Sequence, residues 1–233
     1  MKTFPGIVIA LAVLLACSSC PSFGESSVAI SSAPHGWRER SAGLFASRPP
    51  IRFTPDNVRF SGEADLAAGT GVFFERPLAS AGTITGFDLS VQADGCNLKS
   101  NDYHEGDARF PISVTVVMGQ DRPEYPFAKQ VGRFFARLWN GFPSRGLRLT
   151  YVWGCGTPVG SMFRLSDEET VFVVAGQDEI GKRIEARRVI DADFKAAYGR
   201  ASKGTATEIR VRFDRPSNEK GNLRVAFDLN TSP

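Results

Sequence analysis

The chain has 233 residues, of which 42% are hydrophobic, 11% aromatic and 23% charged. This composition excludes a disordered, fibrous or coiled-coil protein and is typical of one globular domain. The formal net charge of +3 is far below the concentrated lysine and arginine field of nucleic-acid binders, so no nucleic-acid partner is expected. With 2 histidines and 4 cysteines, the chain has few groups for a metal site, and none is predicted.

The first residues have the pattern of an export signal. Lys2 precedes an apolar run from Ile7 to Ala16, about half of the ~20 residues that a membrane-spanning helix needs. Two ways of processing stay open. The string Leu14-Leu15-Ala16-Cys17 resembles the lipobox of bacterial lipoproteins, which predicts a lipoprotein signal of residues 1–16 and a lipid anchor on Cys17. Cleavage after Gly24 would instead remove a signal peptide of residues 1–24. Either way the chain is expected to be exported, as a periplasmic protein or an envelope-attached lipoprotein, with no membrane span.

Beyond the signal, residues 25–35 form a Ser-rich linker and residues 36–233 a single predicted domain. Export makes the cysteines informative, because thiols in an oxidising compartment tend to pair. Cys96 and Cys155 are the even pair left in the domain and predict a disulfide. Two buried free thiols are one alternative, and a redox-active or metal-binding pair is another, although no Cys-x-x-Cys spacing supports it.

Short segments of alternating apolar and polar residues dominate the domain and predict β-strands. In Thr207 to Asp214 the apolar side chains point one way and the charged ones the other, so one face is expected to be buried and one wet. Leu223 to Leu229 repeats the pattern, and the residues between the two segments suit a hairpin loop. The sequence therefore predicts a C-terminal β-hairpin.

Further strands are predicted at similar intervals, and two segments have helical periodicity instead. The strands are Val58–Phe60, Val72–Phe74, Thr85–Val91, Ile112–Val116, Leu147–Tyr151 and Val171–Ala175. An amphipathic helix with a basic face is predicted for Phe127–Trp139, and a shorter helix for Asp191–Tyr198, with Asp191 as its cap and Gly199 as its stop. The predicted fold is mainly all-β, an antiparallel two-sheet β-sandwich of jelly-roll type with one or two short helices.

Several segments resemble a known family of exported bacterial proteins. They are Gly106-Asp107 before the strand at Pro111–Val117, Leu149–Gly154 with Thr157–Gly160, and Gly181–Gly199 with Glu185, Arg187, Asp193, Phe194 and Tyr198. Together they resemble the domain-of-unknown-function family 3047, over about Gly36 to Leu229. The resemblance implies export and a sandwich reminiscent of carbohydrate-binding modules, and it implies no reaction.

The chain departs from the family pattern near its last strands. Members usually carry an acidic Thr-Asp-x-Asp-Asn-Thr run there, whereas this chain has Phe213 to Asn218 with Asp214 as its one acid. If that loop binds a cation or polar ligand in relatives, the resemblance does not extend such binding to this protein.

Two aromatic residues and four charged ones are the candidate ligand-binding residues. Tyr151 and Trp153 are two apart on a predicted strand, so their rings emerge on one face and could form a platform for sugar rings; filling the core is the alternative. The charged candidates are Asp107, Arg109, Glu185 and Arg187. Ordinary exposed ion pairs are the alternative for these.

The sequence contains no complete set of catalytic residues and no cofactor-binding motif. His35 and His104 are isolated, there is no Gly-x-Ser-x-Gly in the mature chain, and no nucleotide-binding glycine loop occurs. No cofactor is therefore predicted. The basic helix at Phe127–Trp139 would suit an anionic membrane surface, or it could lie over an open end of the sandwich.

The sequence favours a non-catalytic protein that binds a carbohydrate-like ligand or an envelope protein. One alternative is a cell-envelope hydrolase with a carboxylate pair, for which Asp107 and Glu185 are the candidates. A structural envelope lipoprotein without a small ligand is the other.

Overall fold

A computed structural model describes residues 32–42, 46–55, 59–78, 84–99, 108–121 and 146–232. These residues form twelve strands, β1 to β12, and one α-helix, α1. The strands are Arg38–Ser41, Ile51–Phe53, Phe60–Leu66, Thr70–Pro77, Gly86–Ala93, Ile112–Met118, Leu147–Trp153, Met162–Ser166, Glu169–Ala175, Ile184–Val189, Glu208–Arg215 and Leu223–Ser232. Helix α1 is Ile190–Tyr198, and a short 3₁₀ helix is Gln177–Glu179. The export signal with Cys17, the predicted helix at Phe127–Trp139, His104 and Asp107 lie outside the described residues.

The strands form two sheets packed face to face, which confirms the predicted sandwich. The seven-stranded sheet has the order β1-β4-β11-β6-β7-β9-β8, and the five-stranded sheet has the order β10-β5-β12-β3-β2. Neighbouring strands are antiparallel except β7 and β9, which are parallel. In the part of the chain that the structure describes, no helix is long and apolar enough to cross a membrane.

The core lies between the sheets and is built from the inward-facing apolar residues of both. Four phenylalanines interlock across it: Phe60 and Phe227 come from the five-stranded sheet, Phe74 and Phe213 from the seven-stranded sheet. The ring centroids of Phe60 and Phe74 are 5.3 Å apart, and those of Phe213 and Phe227 are 4.9 Å apart. Because aromatic side chains bury large apolar areas, these contacts fix how the sheets face each other.

The predicted C-terminal hairpin is wrong, although both of its strands exist. β11 lies in the seven-stranded sheet between β4 and β6, whereas β12 lies in the five-stranded sheet between β5 and β3. The loop between them passes from one sheet to the other. The alternation of apolar and polar residues predicts only that each strand has one face in the core. β11 and β12 both do, but they pack on the core from opposite sheets.

The charged face of β11, which the sequence predicts to be exposed to solvent, is buried. Glu208 and Arg210 are each 7% exposed. Nη2 of Arg210 donates to Glu208 Oε1 at 3.0 Å and to Glu75 Oε2 at 3.2 Å, and its guanidinium lies 4.2 Å from the ring centroid of Phe73. Burial lowers the pKa of Arg210, while the charges of Glu208 and Glu75 act against that shift. These charged side chains can be buried because each lies beside an opposite charge. The alternation of apolar and charged residues in the sequence does not reveal such pairing.

The predicted disulfide between Cys96 and Cys155 is confirmed, with 5.8 Å between the two Cα atoms. Cys96 follows β5 of the five-stranded sheet, and Cys155 follows β7 of the seven-stranded sheet. The neighbouring Asn97 donates through Nδ2 to the carbonyl of Asp214 at 2.9 Å. The two sheets are therefore linked covalently at one end.

The predicted short helix is confirmed, but its predicted cap is not. Helix α1 starts one residue earlier, at Ile190; its N-cap is Val189, which makes no side-chain capping bond. Asp191 lies in the first helical turn instead, where a carboxylate is favoured by the helix dipole. Gly199 stops the helix as predicted, in the left-handed conformation with φ 69°.

Candidate functional site

The rings of Tyr151 and Trp153 lie in the core, where both residues are 0% exposed. These two residues therefore fill the core, which was the alternative to a binding role, and their rings form no sugar-binding platform on the surface. The ring of Tyr151 stacks on Phe172 with 5.3 Å between centroids and meets Phe87 edge-on at 4.9 Å. These contacts make Tyr151 part of the packing between the sheets.

The hydroxyl of Tyr151 belongs to a polar cluster, the Asp193 cluster, formed by the buried Tyr151 and Asp193 and the partly exposed Arg188. The hydroxyl donates to Asp193 Oδ2 at 2.8 Å, and Arg188 donates from Nε and Nη2 to both carboxylate oxygens at 2.9 and 2.5 Å. Burial, and then the adjacent Asp193 charge, raise the pKa of Tyr151 well above its ordinary value of 10.0. The cluster ties α1 to β10 and β7.

Arg109 lies apart from the other candidates. Its Nε is 3.4 Å from Asp214 Oδ2, on the outer side of the seven-stranded sheet, where Arg212 also donates to Asp214. Asp107, two residues before Arg109, lies outside the described residues. The structure therefore does not group Arg109 with Glu185 and Arg187.

Glu185 and Arg187 do lie together, at an open groove on the outer face of the five-stranded sheet. The groove has a volume of about 430 Å³, within the range of roughly 300 to 1,000 Å³ of small-molecule sites. Five further polar residues line it beside Glu185 and Arg187: Arg59, Asp88, Ser90, Asp228 and Asn230. These seven residues are called the groove residues below.

The strand register explains why the groove residues meet. Glu185 is paired with Ser90, and Ser90 with Asp228, so one row runs across β10, β5 and β12. The adjacent row contains Arg187, Asp88 and Asn230. Because side chains in one row point to the same face and neighbouring strands lie about 4.8 Å apart, the polar groups converge over a rigid backbone floor.

The charges in the groove are paired loosely. Arg59 Nη1 lies 3.5 Å from Asp228 Oδ2, and Arg187 Nε lies 3.8 Å from Asp88 Oδ1. Both distances exceed those of good hydrogen bonds. The other oxygen of Asp228, Oδ1, is buried and accepts no hydrogen bond in the described structure. Oδ1 of Asp228 is therefore not accessible to a ligand, whereas the side chains of Arg187 and Asp88 are exposed and, among the described residues, only loosely paired.

A short hydrogen bond lies at the border of the groove. Arg183 Nε donates to Ser90 Oγ at 2.6 Å, which places a third guanidinium beside the floor. No group of three or more histidine, cysteine or acidic side chains suited to a metal ion occurs among the described residues. The arrangement is thus suited to hydrogen bonding with a polar ligand.

Sequence reasoning missed Arg59, Asp88, Ser90, Asp228 and Asn230. A partial signal was available, because Asp88 and Ser90 alternate with the core residues Phe87 and Leu89 and so must point outward. The pairing of β5 with β10 and β12 links segments that are distant along the chain. No local pattern reveals which outward faces become neighbours.

Comparison with curated protein sequences found no significant match. Among solved structures, the catalytic domain of Humicola grisea Cel12A in complex with a soaked thio-cellotetraose has 8% identity and a TM-score of 0.45, over 84% of this chain and 92% of that chain. The endoglucanase Cel12A from Rhodothermus marinus has 9% identity and a TM-score of 0.43, over 84% and 96%. The xyloglucanase domain of NopAA from Sinorhizobium fredii, in complex with cellobiose, has 9% identity and a TM-score of 0.37, over 84% and 94%. Likenesses this remote do not show a shared function.

The family comparison is more informative. The model of a family described as protein of unknown function, DUF3047, matches residues 93–214. The matched region contains the disulfide, the strands from β6 to β10 and helix α1. It covers more than half of the chain, and the protein therefore belongs to the DUF3047 family.

Proposed function

We propose that this protein is an exported, non-catalytic β-sandwich that binds a carbohydrate-like ligand in the groove on its five-stranded sheet. The observation that carries the proposal is the convergence of the seven groove residues on one open sheet face. Glu185 and Arg187 are among the ligand-binding residues that the sequence predicts, and both line the groove. Tyr151, Trp153 and Arg109 do not line it, and Asp107 lies outside the described residues.

The chemistry of the groove suits a ligand with many hydroxyl groups. A sugar hydroxyl both donates and accepts hydrogen bonds, and the groove offers donors on Arg59, Arg187 and Asn230 and acceptors on Asp88, Glu185 and Asp228. Each bond exchanges with water, so each contributes only about 0.5 to 1.5 kcal/mol. Without an aromatic platform, we expect weak binding, with a Kd of roughly 0.1 to 1 mM.

A binding role is favoured over hydrolysis by the surroundings of the carboxylates. Hydrolysis of a glycoside needs one carboxyl group that holds a proton near neutral pH beside a second, ionised one. Asp228 and Asp88 face guanidinium groups, and Glu185 lies on β10 between Arg183 and Arg187, two residues away on either side. Asp88 and Asp228 therefore already lie beside arginine donors, which is the role as hydrogen-bond acceptors that we propose for them toward ligand hydroxyl groups.

Export is the second part of the proposal. It is supported by the Cys96–Cys155 disulfide, because disulfides persist in oxidising compartments, and by the apolar run after Lys2. We propose residues 1–24 or 1–16 as the signal, residues 25–35 as a linker and residues 36–233 as one domain. Mass spectrometry of the mature N-terminus decides between an acylated Cys17 and a free start near Glu25.

The test of binding is a glycan-array and thermal-shift screen of the mature domain. We expect at least one glycan to raise Tm, and Glu185→Gln and Asp228→Asn to remove that shift. Glu39→Gln on β1 and Asp178→Asn in the 3₁₀ helix make the same chemical changes at other exposed positions, and both should keep it.

Two results would overturn the proposal. Cleavage of a glycan that is lost in Glu185→Gln would support the hydrolase alternative. No binding across the whole array, by a protein that unfolds cooperatively, would favour a structural envelope lipoprotein or a protein-binding role.

A further inference from the structure

We infer that the ligand is a neutral linear glycan of several sugar units, which extends from the groove along β5 and β12. This inference rests on the proposed function and adds the length and the charge class of the ligand. It comes from the outward-facing residues of β5 and β12, which continue past the groove and are polar except for Ala226.

The β5–β12 stripe consists of these outward-facing residues, arranged in rows across the two strands. The register pairs Asp88 with Asn230, Ser90 with Asp228, and Gln92 with Ala226. A last row joins Asp94 to Arg224, whose backbone N–H donates to Asp94 Oδ1 at 2.7 Å. Rows two residues apart are separated by roughly 6.8 Å, so the stripe is roughly 20 Å long. The groove takes up only its first two rows.

The rows beyond the groove are accessible to a ligand. Arg224 is exposed, and Gln92 and Ala226 are half-buried by their neighbours in the sheet. Ala226 lies between Gln92 on β5 and Glu63 on β3. Because the side chain of Ala226 is a single methyl group, it projects less from the sheet than the other side chains of the stripe. Ala226 therefore leaves room for a ligand to continue from the groove toward Arg224, past Gln92, whose amide donates to the carbonyl of Gly181 at 2.8 Å.

The charges on this sheet face favour a neutral ligand. Among the described residues, its arginines are Arg52, Arg59, Arg183, Arg187 and Arg224. The carboxylates that the structure describes on this face are Glu63, Asp65, Asp88, Asp94, Glu185 and Asp228. Opposite charges are interspersed: Arg224 Nε lies 3.2 Å from Asp65 Oδ1, and Arg52 Nη2 lies 3.0 Å from Asp65 Oδ2. A nearly balanced face attracts neither a polyanion nor a polycation over distance, because the opposing fields cancel.

The experiment measures affinity against ligand length and charge with the mature, disulfide-bonded domain. The probes are dimers and tetramers of β-glucan, xylan, mannan and chitin, with tetramers of polygalacturonate and chitosan as the charged counterparts. For at least one neutral series, we expect the tetramer to bind roughly tenfold more tightly than the dimer, since it reaches all rows of the stripe.

A block in the third row tests where the extra units lie. Ala226→Leu should bring the tetramer to within about twofold of the dimer and leave the dimer unchanged, because the dimer stays in the groove. Ala192→Leu makes the same change at an exposed position of α1 and should leave both unchanged. Equal affinity of dimer and tetramer, or an unaffected tetramer in Ala226→Leu, would overturn the inference and leave the proposed groove intact.

Two other outcomes are equally decisive. Tighter binding of a charged tetramer than of every neutral one would overturn the neutral class. Failure of all dimers and tetramers to bind would overturn the inference, and it would overturn the proposed function as well if no glycan on the array binds.

Discussion

At the scale of single residues, the Asp193 cluster explains why an aromatic residue with a polar group lies in the core. Tyr151 is 0% exposed, so its hydroxyl must find a partner inside the protein, and Asp193 Oδ2 supplies it at 2.8 Å. Asp193 in turn is held by Arg188, whose guanidinium lies 5.3 Å from the Tyr151 ring centroid. The cluster is therefore a structural unit between α1, β10 and β7.

Tyr151→Phe should lower the free energy of unfolding by about 1 to 2 kcal/mol, because a charged buried acceptor loses one donor. Asp193→Asn should cost more, since it leaves the guanidinium of Arg188 without its counter-charge. Urea unfolding followed by tryptophan fluorescence measures both. Wild-type stability in Asp193→Asn would contradict this account of the cluster.

Alkaline pH should destabilise the protein through the same hydroxyl. Burial raises the pKa of Tyr151 above 10.0, and burial also raises the pKa of Tyr198. Above pH 10 the unfolded chain releases phenolic protons that the folded protein keeps, so stability falls as pH rises. Tyr151→Phe should reduce the slope of Tm against pH above about pH 10, and Tyr198 should account for part of the remaining slope. An unchanged slope would show that Tyr151 does not contribute.

At the scale of elements, the sequence predicts strands well and their partners poorly. Alternating apolar residues mark β5, β6, β7, β11 and β12, because the inter-sheet core imposes a period of two on them, and a continuous apolar run marks β9. The same pattern cannot say that β11 and β12 belong to different sheets. Nor can it tell Arg210, buried with Glu75 and Glu208, from an arginine in water.

The residues of the candidate site likewise divide into those that a local pattern predicts and those that depend on long-range strand pairing. Glu185 and Arg187 could be found because both point outward from one strand. Asp228 and Asn230 could not, because they join the site only through the long-range pairing of β12 with β5. Tyr151 and Trp153 have the spacing expected of a platform, but the second sheet covers the face on which they lie.

The disulfide is the element-scale feature with the largest expected energy. It closes a loop with a sequence separation of 59 residues, for which the chain-entropy model gives about 4 kcal/mol. Replacing Cys96 and Cys155 together by alanine should lower the urea midpoint accordingly. The oxidised wild type treated with a reductant should approach the double variant. Alkylation of both cysteines in the unreduced native protein would contradict the bridge.

At the scale of the whole molecule, the two outer faces differ. The outer side of the seven-stranded sheet holds buried, tightly paired charges such as Arg210 and Glu208, each 7% exposed. The outer side of the five-stranded sheet holds exposed, loosely paired charges such as Arg187, whose side chain is 84% exposed. Among the described residues, the second face therefore presents charged groups that are more exposed and less closely paired, and the proposed binding site lies there.

Salt should have little effect on ligand binding if the ligand is neutral. Raising NaCl from about 0.05 to 0.5 M shortens the screening length to a few Å, which weakens charge attraction but not hydrogen bonds to hydroxyl groups. We expect the Kd of a glycan found in the screen to change less than twofold, measured by isothermal titration calorimetry. A tenfold loss would indicate a charged ligand.

The most direct test of the central claim is an NMR titration of the ¹⁵N-labelled mature domain with a binding glycan. The account predicts amide shift changes at Asp88 and Ser90 on β5, Glu185 and Arg187 on β10, and Asp228 on β12, with little change at Arg210 on β11. Shift changes centred on β11 and β6, with β5 and β12 unaffected, would contradict the assignment of the binding site to the five-stranded sheet.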